Sequence, residues 1–264
     1  MSRFVIQLFL LGSLLGSCND AGDENDIVVS NSEENLVALV KQYPDSIALR
    51  NELVDYYAKN NEYEKAINEN NILIQNDSKN ATGWDTKARL LFLKGDTLGA
   101  ISASKAAIDI NPQPQYIISL GTLYAQTRNP LALSIAEALL NEPRAKSELQ
   151  AYFIMGLYYN NAGRKPEAIR LFDKCLSLDY TFLDAYREKA IALYDLAKYE
   201  EAIKLLQTAT TVQKTYEEGW YWMGRCYQKL NRKKEAMETY RLALQLDPGY
   251  VEASEALTQL GAKS

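Results

Sequence analysis

The sequence predicts an all-α solenoid of helix-turn-helix repeats, and three observations support this prediction. Six blocks of 34 residues follow one another from Ile47 to Tyr250 without a gap. Within each block, apolar residues recur at the i, i+3, i+4 and i+7 spacing of two amphipathic helices. Turn-forming residues such as Asn61, Gly95 and Gly163 stand between the two helices. Because one hairpin cannot bury its apolar face alone, neighbouring repeats are expected to stack and share a continuous core.

Two positions of the block hold small residues. In five blocks the eighth position is occupied by Val54, Ala88, Gly156, Ala190 and Gly224. The twentieth position is alanine in five blocks, at Ala66, Ala100, Ala168, Ala202 and Ala236. Small residues let the two helices of a hairpin approach closely, so both positions are expected to lie between helices.

The last block has the fullest version of the repeated pattern. Its aromatic, small and proline positions are Trp220, Met223, Gly224, Tyr227, Ala236, Tyr240, Ala243 and Pro248. This spacing, W-x2-L-G-x2-Y followed by A-x3-F and P, resembles the tetratricopeptide repeat. The resemblance covers residues 47–250 and implies a right-handed superhelical solenoid of six such repeats with capping helices.

The resemblance also implies a binding surface. In this family, side chains at positions two, five, nine, twelve and thirteen of the first helices line a concave groove that binds a protein or peptide. At these positions the chain supplies aromatic residues with arginines spaced among them, which suit an extended or helical peptide. The candidate partner-binding residues are Arg89, Phe92, Ile118, Phe153, Arg187, Tyr194, Tyr221 and Arg225. Leu157 and Ile191 share this face but are expected to pack between adjacent first helices.

One specialised groove is not expected. Some tetratricopeptide domains hold the C-terminal carboxylate of chaperones with lysine and asparagine side chains in consecutive repeats. No pair of consecutive repeats here has that pattern, and the nearest, Asn51 with Asp55, carries the wrong charge. The sequence therefore does not predict binding of chaperone tails.

The third block departs from the regular spacing. Gly121 and Tyr124 match the pattern one residue early, and Ala132 with Ala136 match it two residues early. Residues 142–146 restore the frame. A locally altered twist is expected here, without a break between domains.

Both ends of the repeat array are expected to be capped. Residues 33–46 align with the second half of a repeat and predict an N-terminal capping helix. Residues 251–264 align with the first half of a seventh repeat and predict a C-terminal capping helix. Polar residues typical of such a cap are Glu252, Ser254, Glu255 and Thr258.

Residues 1–17 have the pattern of a secretory signal peptide. A positive start is followed by an apolar stretch, Phe4–Leu15, which is shorter than the roughly 20 residues that a membrane-spanning helix needs. Leu15-Gly16-Ser17-Cys18 then resembles the lipobox of bacterial lipoproteins. The resemblance implies cleavage before Cys18 and attachment of lipid to its sulfur. The alternative is a secreted protein in which this cysteine occurs by chance.

Residues 18–32 predict an acidic, flexible tether between the lipid and the first helix. Its acids include Asp20, Asp23, Glu24 and Asp26, and it has no basic residue. The expected location is the bacterial cell envelope, as an outer-membrane lipoprotein on the periplasmic or surface side. The expected membrane contact is the N-terminal lipid, since two or three acyl chains hold a protein durably.

Composition excludes several functions. The net charge is −5, and the only basic cluster, Arg232 to Lys234, is expected in a hairpin turn, so no nucleic-acid surface is predicted. The chain has no histidine, which removes histidine-based catalysis and histidine metal sites. No glycine-rich phosphate loop is present. No cofactor, metal or catalytic residue is therefore predicted.

Cys175 and Cys226 are expected to be small core residues that do not pair.

The predicted function is that of a lipid-anchored envelope scaffold that binds a partner protein or peptide in its groove. Such a scaffold could assist the assembly of an envelope complex. Two alternatives belong to other classes: an envelope enzyme with its active site in the groove, and a structural protein that associates with itself.

Overall fold

A computed structural model of the chain describes residues 32–141 and 147–261. The predicted signal peptide, the predicted lipid-attachment residue Cys18 and all of the predicted tether except Ser32 lie outside these ranges. The described residues form fourteen α-helices and no strand. The helices are α1 Glu33–Gln42, α2 Ile47–Lys59, α3 Tyr63–Asn76, α4 Ala81–Lys94, α5 Thr97–Ile110, α6 Pro114–Gln126, α7 Leu131–Asn141, α8 Glu148–Asn161, α9 Lys165–Leu178, α10 Leu183–Asp195, α11 Tyr199–Val212, α12 Glu217–Lys229, α13 Lys233–Leu246 and α14 Val251–Gln259.

The helices pair as the repeat predicts, with even-numbered α2 to α12 as first helices and odd-numbered α3 to α13 as second helices. All six second helices begin at intervals of 34 residues, from Tyr63 to Lys233. The first helices keep the same interval except for α6 and α8, which begin one residue early at Pro114 and Glu148.

Each hairpin turn contains one residue in the left-handed backbone region. These residues are Asn61, Gly95, Arg128, Gly163, Ala197 and Asn231, with φ between 58° and 97°. The residue after each of them donates its N–H to a carbonyl in the last turn of the first helix, for example Glu62 to Tyr57 at 2.8 Å and Arg232 to Tyr227 at 2.9 Å. This bond satisfies a carbonyl that would otherwise lack a partner at the helix end. One geometry therefore reverses the chain in all six blocks.

Glycine in a first helix makes room for an aromatic ring of the second helix. A Cβ atom on Gly156 would lie 2.6 Å from Cε1 of Phe172, and one on Gly224 would lie 2.5 Å from Cε1 of Tyr240. Both rings are fully buried. The small eighth position therefore lies between helices, as the sequence predicts. The alanine of the twentieth position is also completely buried, at Ala66, Ala100, Ala168, Ala202 and Ala236.

The third block is irregular in the way its sequence indicates. Helix α7 begins on the regular interval but has 11 residues, whereas the other second helices have 14. Its buried residues are Ala132, Ala136 and Leu139, so its buried face is displaced toward its start. Asn129 accepts a hydrogen bond at 3.0 Å from the Leu131 N–H through its side-chain oxygen, and thereby orders the altered turn.

The described residues divide into two compact units, one up to Tyr116 and one from Ile117 onward, at a point within the first helix of this irregular block. The expectation of a locally altered twist without a break between domains stays a prediction. In the first unit, the largest buried side chains include Leu53, Val54 and Leu90. In the second, they include Phe172, Leu206 and Tyr240.

The first and last helices each bury one face. Helix α1 buries Leu36 and Val40, which join the core formed with α2 and α3. Helix α14 buries Ala253, Ala256 and Leu257 and leaves Glu255 and Thr258 exposed. This division is the one expected of a capping helix.

Cys175 and Cys226 are free thiols in the buried core, which confirms that they do not pair. Burial raises the pKa of each thiol to about 12.

Among the described helices, none has the combination of length and apolar content that crossing a membrane needs.

Candidate functional site

The first helices α10 and α12 of the second unit lie side by side and hold most of the polar candidate residues. Two hydrogen bonds fix their register: Arg187 Nη1 to Glu218 Oε2 at 3.1 Å, and Arg225 Nη2 to the Tyr194 hydroxyl at 3.3 Å. Each bond joins residues 31 apart, so the two helices run parallel. The bonds are seven residues apart on each helix, which corresponds to about 10.5 Å along the axis.

We call the first contact the acidic cluster, which consists of Asp184, Glu188 and Glu218 around Arg187. The guanidinium lies 2.9 Å from Asp184 Oδ1, 3.3 Å from Glu188 Oε1 and 3.1 Å from Glu218 Oε2. The Arg187 side chain is 11% exposed, and the three acids are only slightly more exposed. Three carboxylates thus share one cation in a partly desolvated place.

Burial dominates the protonation of this cluster. It raises the pKa of Asp184, Glu188 and Glu218, although the charge of Arg187 acts in the opposite direction on each. Burial also opposes the charge of Arg187, but the three carboxylates outweigh it and raise its pKa. The guanidinium of Arg187 therefore stays protonated, whereas burial makes ionisation of the three carboxyl groups less favourable.

A buried hydroxyl adjoins the acidic cluster. Tyr216 precedes α12 and is 5% exposed, and its hydroxyl has no hydrogen-bond partner among the residues that the structure describes. Burial raises its pKa well above the usual value, and the charge of Glu218 acts in the same direction. Its ring packs against Gly219, where a Cβ atom would lie 2.5 Å from Cδ1 of Tyr216.

We call the second contact the arginine–aromatic cluster, which consists of Tyr194, Tyr221, Trp222 and Arg225. Arg225 donates hydrogen bonds to the hydroxyls of Tyr221 at 3.0 Å and Tyr194 at 3.3 Å. Its guanidinium carbon lies 5.2 Å from the ring centre of Tyr194, 5.8 Å from that of Tyr221 and 5.3 Å from that of Trp222. Such contacts are favourable for a cation. Within the described part of the chain, Arg225 forms no ion pair.

Tyr221 is more buried than the sequence indicates. It is 9% exposed, and its ring lies 5.0 Å from that of Tyr250 and 5.8 Å from that of Tyr240. The expectation that it stands on the groove wall outside the core is therefore wrong, because Tyr240 of α13 and Tyr250, which directly precedes α14, enclose its ring. Both its hydroxyl and its ring contact Arg225 in the arginine–aromatic cluster.

Phe153 of α8 is partly exposed and packs edge-on against Phe182, with ring centres 5.0 Å apart. Its ring centre also lies 6.0 Å from that of Phe172. Asn160, also on α8, donates to Glu188 at 3.4 Å and accepts from Lys165 at 2.8 Å. Helix α8 thus adjoins the acidic cluster through Asn160.

The remaining candidates are separate from these clusters. Arg89 and Phe92 lie on α4 in the first unit and are half-buried. Ile118 lies on α6 in the second unit and is also half-buried. Leu157 is 3% exposed, which agrees with the expectation that it packs between helices.

Sequence reasoning missed four members of the two clusters. Asp184 and Glu218 occupy position two of their blocks, and Glu188 and Trp222 occupy position six. Position two had been recognised as a groove position, so the acids beside Arg187 could have been found by comparing adjacent blocks. Position six carries no such signal in the repeat pattern.

The sequence profile of the tetratricopeptide repeat family matches two blocks, residues 149–182 and 217–250. Tetratricopeptide repeat protein 1 of Schizosaccharomyces pombe is 24% identical over 212 residues, which cover 71% of this chain and 20% of that protein. The chain spans less than half the length of the first curated relatives it matches. Repeats of this family mediate contacts between proteins.

Solved structures show the same fold. A tetratricopeptide repeat protein from Parabacteroides merdae has a TM-score of 0.67 at 20% identity, over 87% of this chain and 91% of that one. PilW, described as a type IV pilus biogenesis factor, has a TM-score of 0.58 at 16% identity, over 82% of this chain and all of that one (100%). The predicted fold class is confirmed: the protein has the all-α tetratricopeptide-repeat fold, and two of its blocks match the family profile directly.

Proposed function

We propose that this protein is a lipid-anchored scaffold of the bacterial cell envelope that binds a partner protein through the first helices of its second unit. The observation that carries the proposal is Arg225, a cation framed by Tyr194, Tyr221 and Trp222 with no ion pair among the described residues. Arginine, tyrosine and tryptophan are the residues that contribute most to protein interfaces. Here they are grouped on the two adjacent first helices.

Envelope location is the second part of the proposal, and the sequence supports it. An apolar stretch of signal-peptide length ends at Leu15-Gly16-Ser17-Cys18, and an acidic segment follows. Lipid on Cys18 would hold the repeats at a membrane surface, where a scaffold can assist the assembly of an envelope complex. PilW, described as a type IV pilus biogenesis factor, has the same fold.

Site-specific photo-crosslinking in the native cell tests the binding surface. A benzophenone amino acid replaces Lys229, an exposed residue one turn beyond Arg225 on α12. The matched control replaces Arg241, an exposed residue on the second helix α13 of the same repeat. We expect a discrete cross-linked protein from position 229 and none from position 241.

Mass spectrometry then identifies the cross-linked protein, and fractionation locates it. Equal cross-linking from both positions would place binding elsewhere and contradict the proposal. Recovery of the protein in the soluble fraction, with Cys18 unmodified, would contradict the envelope part alone.

A further inference from the structure

The acidic cluster has an excess of negative charge, whereas the arginine–aromatic cluster has an excess of positive charge. The acidic cluster has three carboxylates for one guanidinium, a net charge of −2 when all are ionised. The arginine–aromatic cluster has one guanidinium and no carboxylate within the described residues. Both span the same two helices, so the seam between α10 and α12 is negative at one end and positive at the other.

The negative end is suited to a basic side chain. Partly buried carboxylates in excess of their cations are unfavourable, and another cation relieves them. The three carboxylates converge on the Arg187 guanidinium, and no group of side chains arranged to hold a metal ion occurs in the described chain. An organic ammonium or guanidinium is therefore the cation that this end fits.

The positive end is suited to a carboxylate. Arg225 has five N–H donors, and its two hydrogen bonds go to neutral hydroxyls. A carboxylate would form charge-assisted hydrogen bonds, which are roughly twice as strong as those between neutral groups. The ring contacts of Tyr194 and Trp222 hold the guanidinium in place without neutralising it.

The distance between the two ends indicates the geometry of the ligand. Seven residues separate Arg187 from Tyr194, and seven separate Glu218 from Arg225, which is about 10.5 Å along each helix. A helix of the partner laid along the seam presents side chains at i and i+7 on one face with the same spacing.

We propose that the seam between α10 and α12 binds a helical segment of the partner that carries a basic and an acidic side chain seven residues apart, the basic one at the acidic cluster and the acidic one at Arg225. This inference rests on the proposed function and specifies the partner of that same surface.

The test uses the full chain and fluorescein-labelled, alanine-based helical peptides, with binding followed by fluorescence anisotropy. The first peptide has lysine and glutamate at i and i+7. Matched controls have lysine at both positions, glutamate at both positions, or the lysine–glutamate pair at i and i+4. We expect the first peptide to bind at least about tenfold more tightly than each control, and the advantage to weaken as salt screens the charges.

A variant of Arg225 tests whether this arginine binds the glutamate of the peptide. Arg225→Gln should weaken the lysine–glutamate peptide about tenfold, yet leave a peptide with lysine and glutamine at the same positions unchanged. Because the peptides are compared on the wild-type protein as well, a poorly folded variant would not decide the result.

Equal affinity for all peptides, binding of none, or an unchanged preference in Arg225→Gln would each overturn this inference. The proposed function would survive any of these outcomes if position 229 still cross-linked a partner. Loss of that cross-link would defeat both.

Discussion

Gly156 and Phe172 are in such close contact that a single carbon atom cannot be added between them. A Cβ atom at position 156 would lie 2.6 Å from Cε1 of the ring, and the ring is fully buried. Helix propensity alone favours alanine over glycine by about 0.8–1.0 kcal/mol. Because the ring cannot move into solvent, overpacking should outweigh that gain.

Gly156→Ala is therefore expected to lower the free energy of unfolding by about 1–3 kcal/mol. Urea unfolding followed by circular dichroism measures the change. Phe172→Leu relieves the crowding, so the double variant should be less destabilised than the two single variants predict together. Strict additivity would show that the two positions do not share one contact.

Tyr221→Ala should destabilise the second unit by about 3–5 kcal/mol, because it removes a buried ring that contacts Tyr240 and Tyr250. Tyr221→Phe keeps those contacts and loses the hydrogen bond from Arg225, so it should cost about 0.5–1.5 kcal/mol. Chemical denaturation of both variants checks the order. Similar costs for the two would mean that the hydroxyl, and not the ring, stabilises the fold here.

Stability should rise on mild acidification through the acidic cluster. The pKa of Glu188 is raised above its ordinary 4.5 by burial, so the folded protein keeps a proton that the unfolded chain has released. The free energy of unfolding therefore falls as pH rises between these two pKa values. Going from about pH 7 to about pH 5 should stabilise the wild type more than Glu188→Gln. Parallel pH profiles for the two proteins would argue against a raised pKa.

The thiols of Cys175 and Cys226 should be unreactive in the folded protein. Each has a pKa of about 12, so almost no thiolate forms at pH 8, and both are buried. Ellman's reagent should detect neither in the native chain and both after denaturation in guanidinium. Rapid labelling of either thiol under native conditions would indicate local opening of its helix pair.

Cys18→Ser should abolish lipid attachment and release the protein from the membrane fraction. Metabolic labelling with a fatty acid checks this, because only an acylated Cys18 would carry the label. Cys226→Ser serves as the control and should retain it. Label that persists in Cys18→Ser would rule out the lipobox interpretation.

The repeat period and its small positions could be predicted from the sequence because each reflects a local steric requirement. Asn61, Gly95, Gly163 and Asn231 are residue types that adopt the left-handed region readily, and all four adopt it. Arg128 and Ala197 adopt the same conformation without that preference, since the hairpin geometry imposes it. Their turns could be located from the period but not from residue type.

The candidate site was predicted less completely because the repeat pattern gives the direction of a side chain but not the residues that it contacts. Tyr221 has the position of a groove residue, but Tyr250, which encloses it, lies beyond the same repeat's second helix. Similarly, Arg187 was recognised without the three carboxylates that surround it. Position within a block indicates which way a side chain faces. Its partners depend on packing within the block, as for Asp184 and Glu188, and on the neighbouring block, as for Glu218.

The close contact between glycine and ring limits which segments of the chain can be exchanged between repeats, in evolution or by engineering. Gly156 matches Phe172 and Gly224 matches Tyr240, whereas Ala190 shares its core with the smaller Leu206. A helix exchanged alone between repeats would therefore bring either a clash or a hole. A whole 34-residue block carries the glycine together with the ring that it fits, so exchange of whole blocks preserves this contact, whereas exchange of a single helix does not.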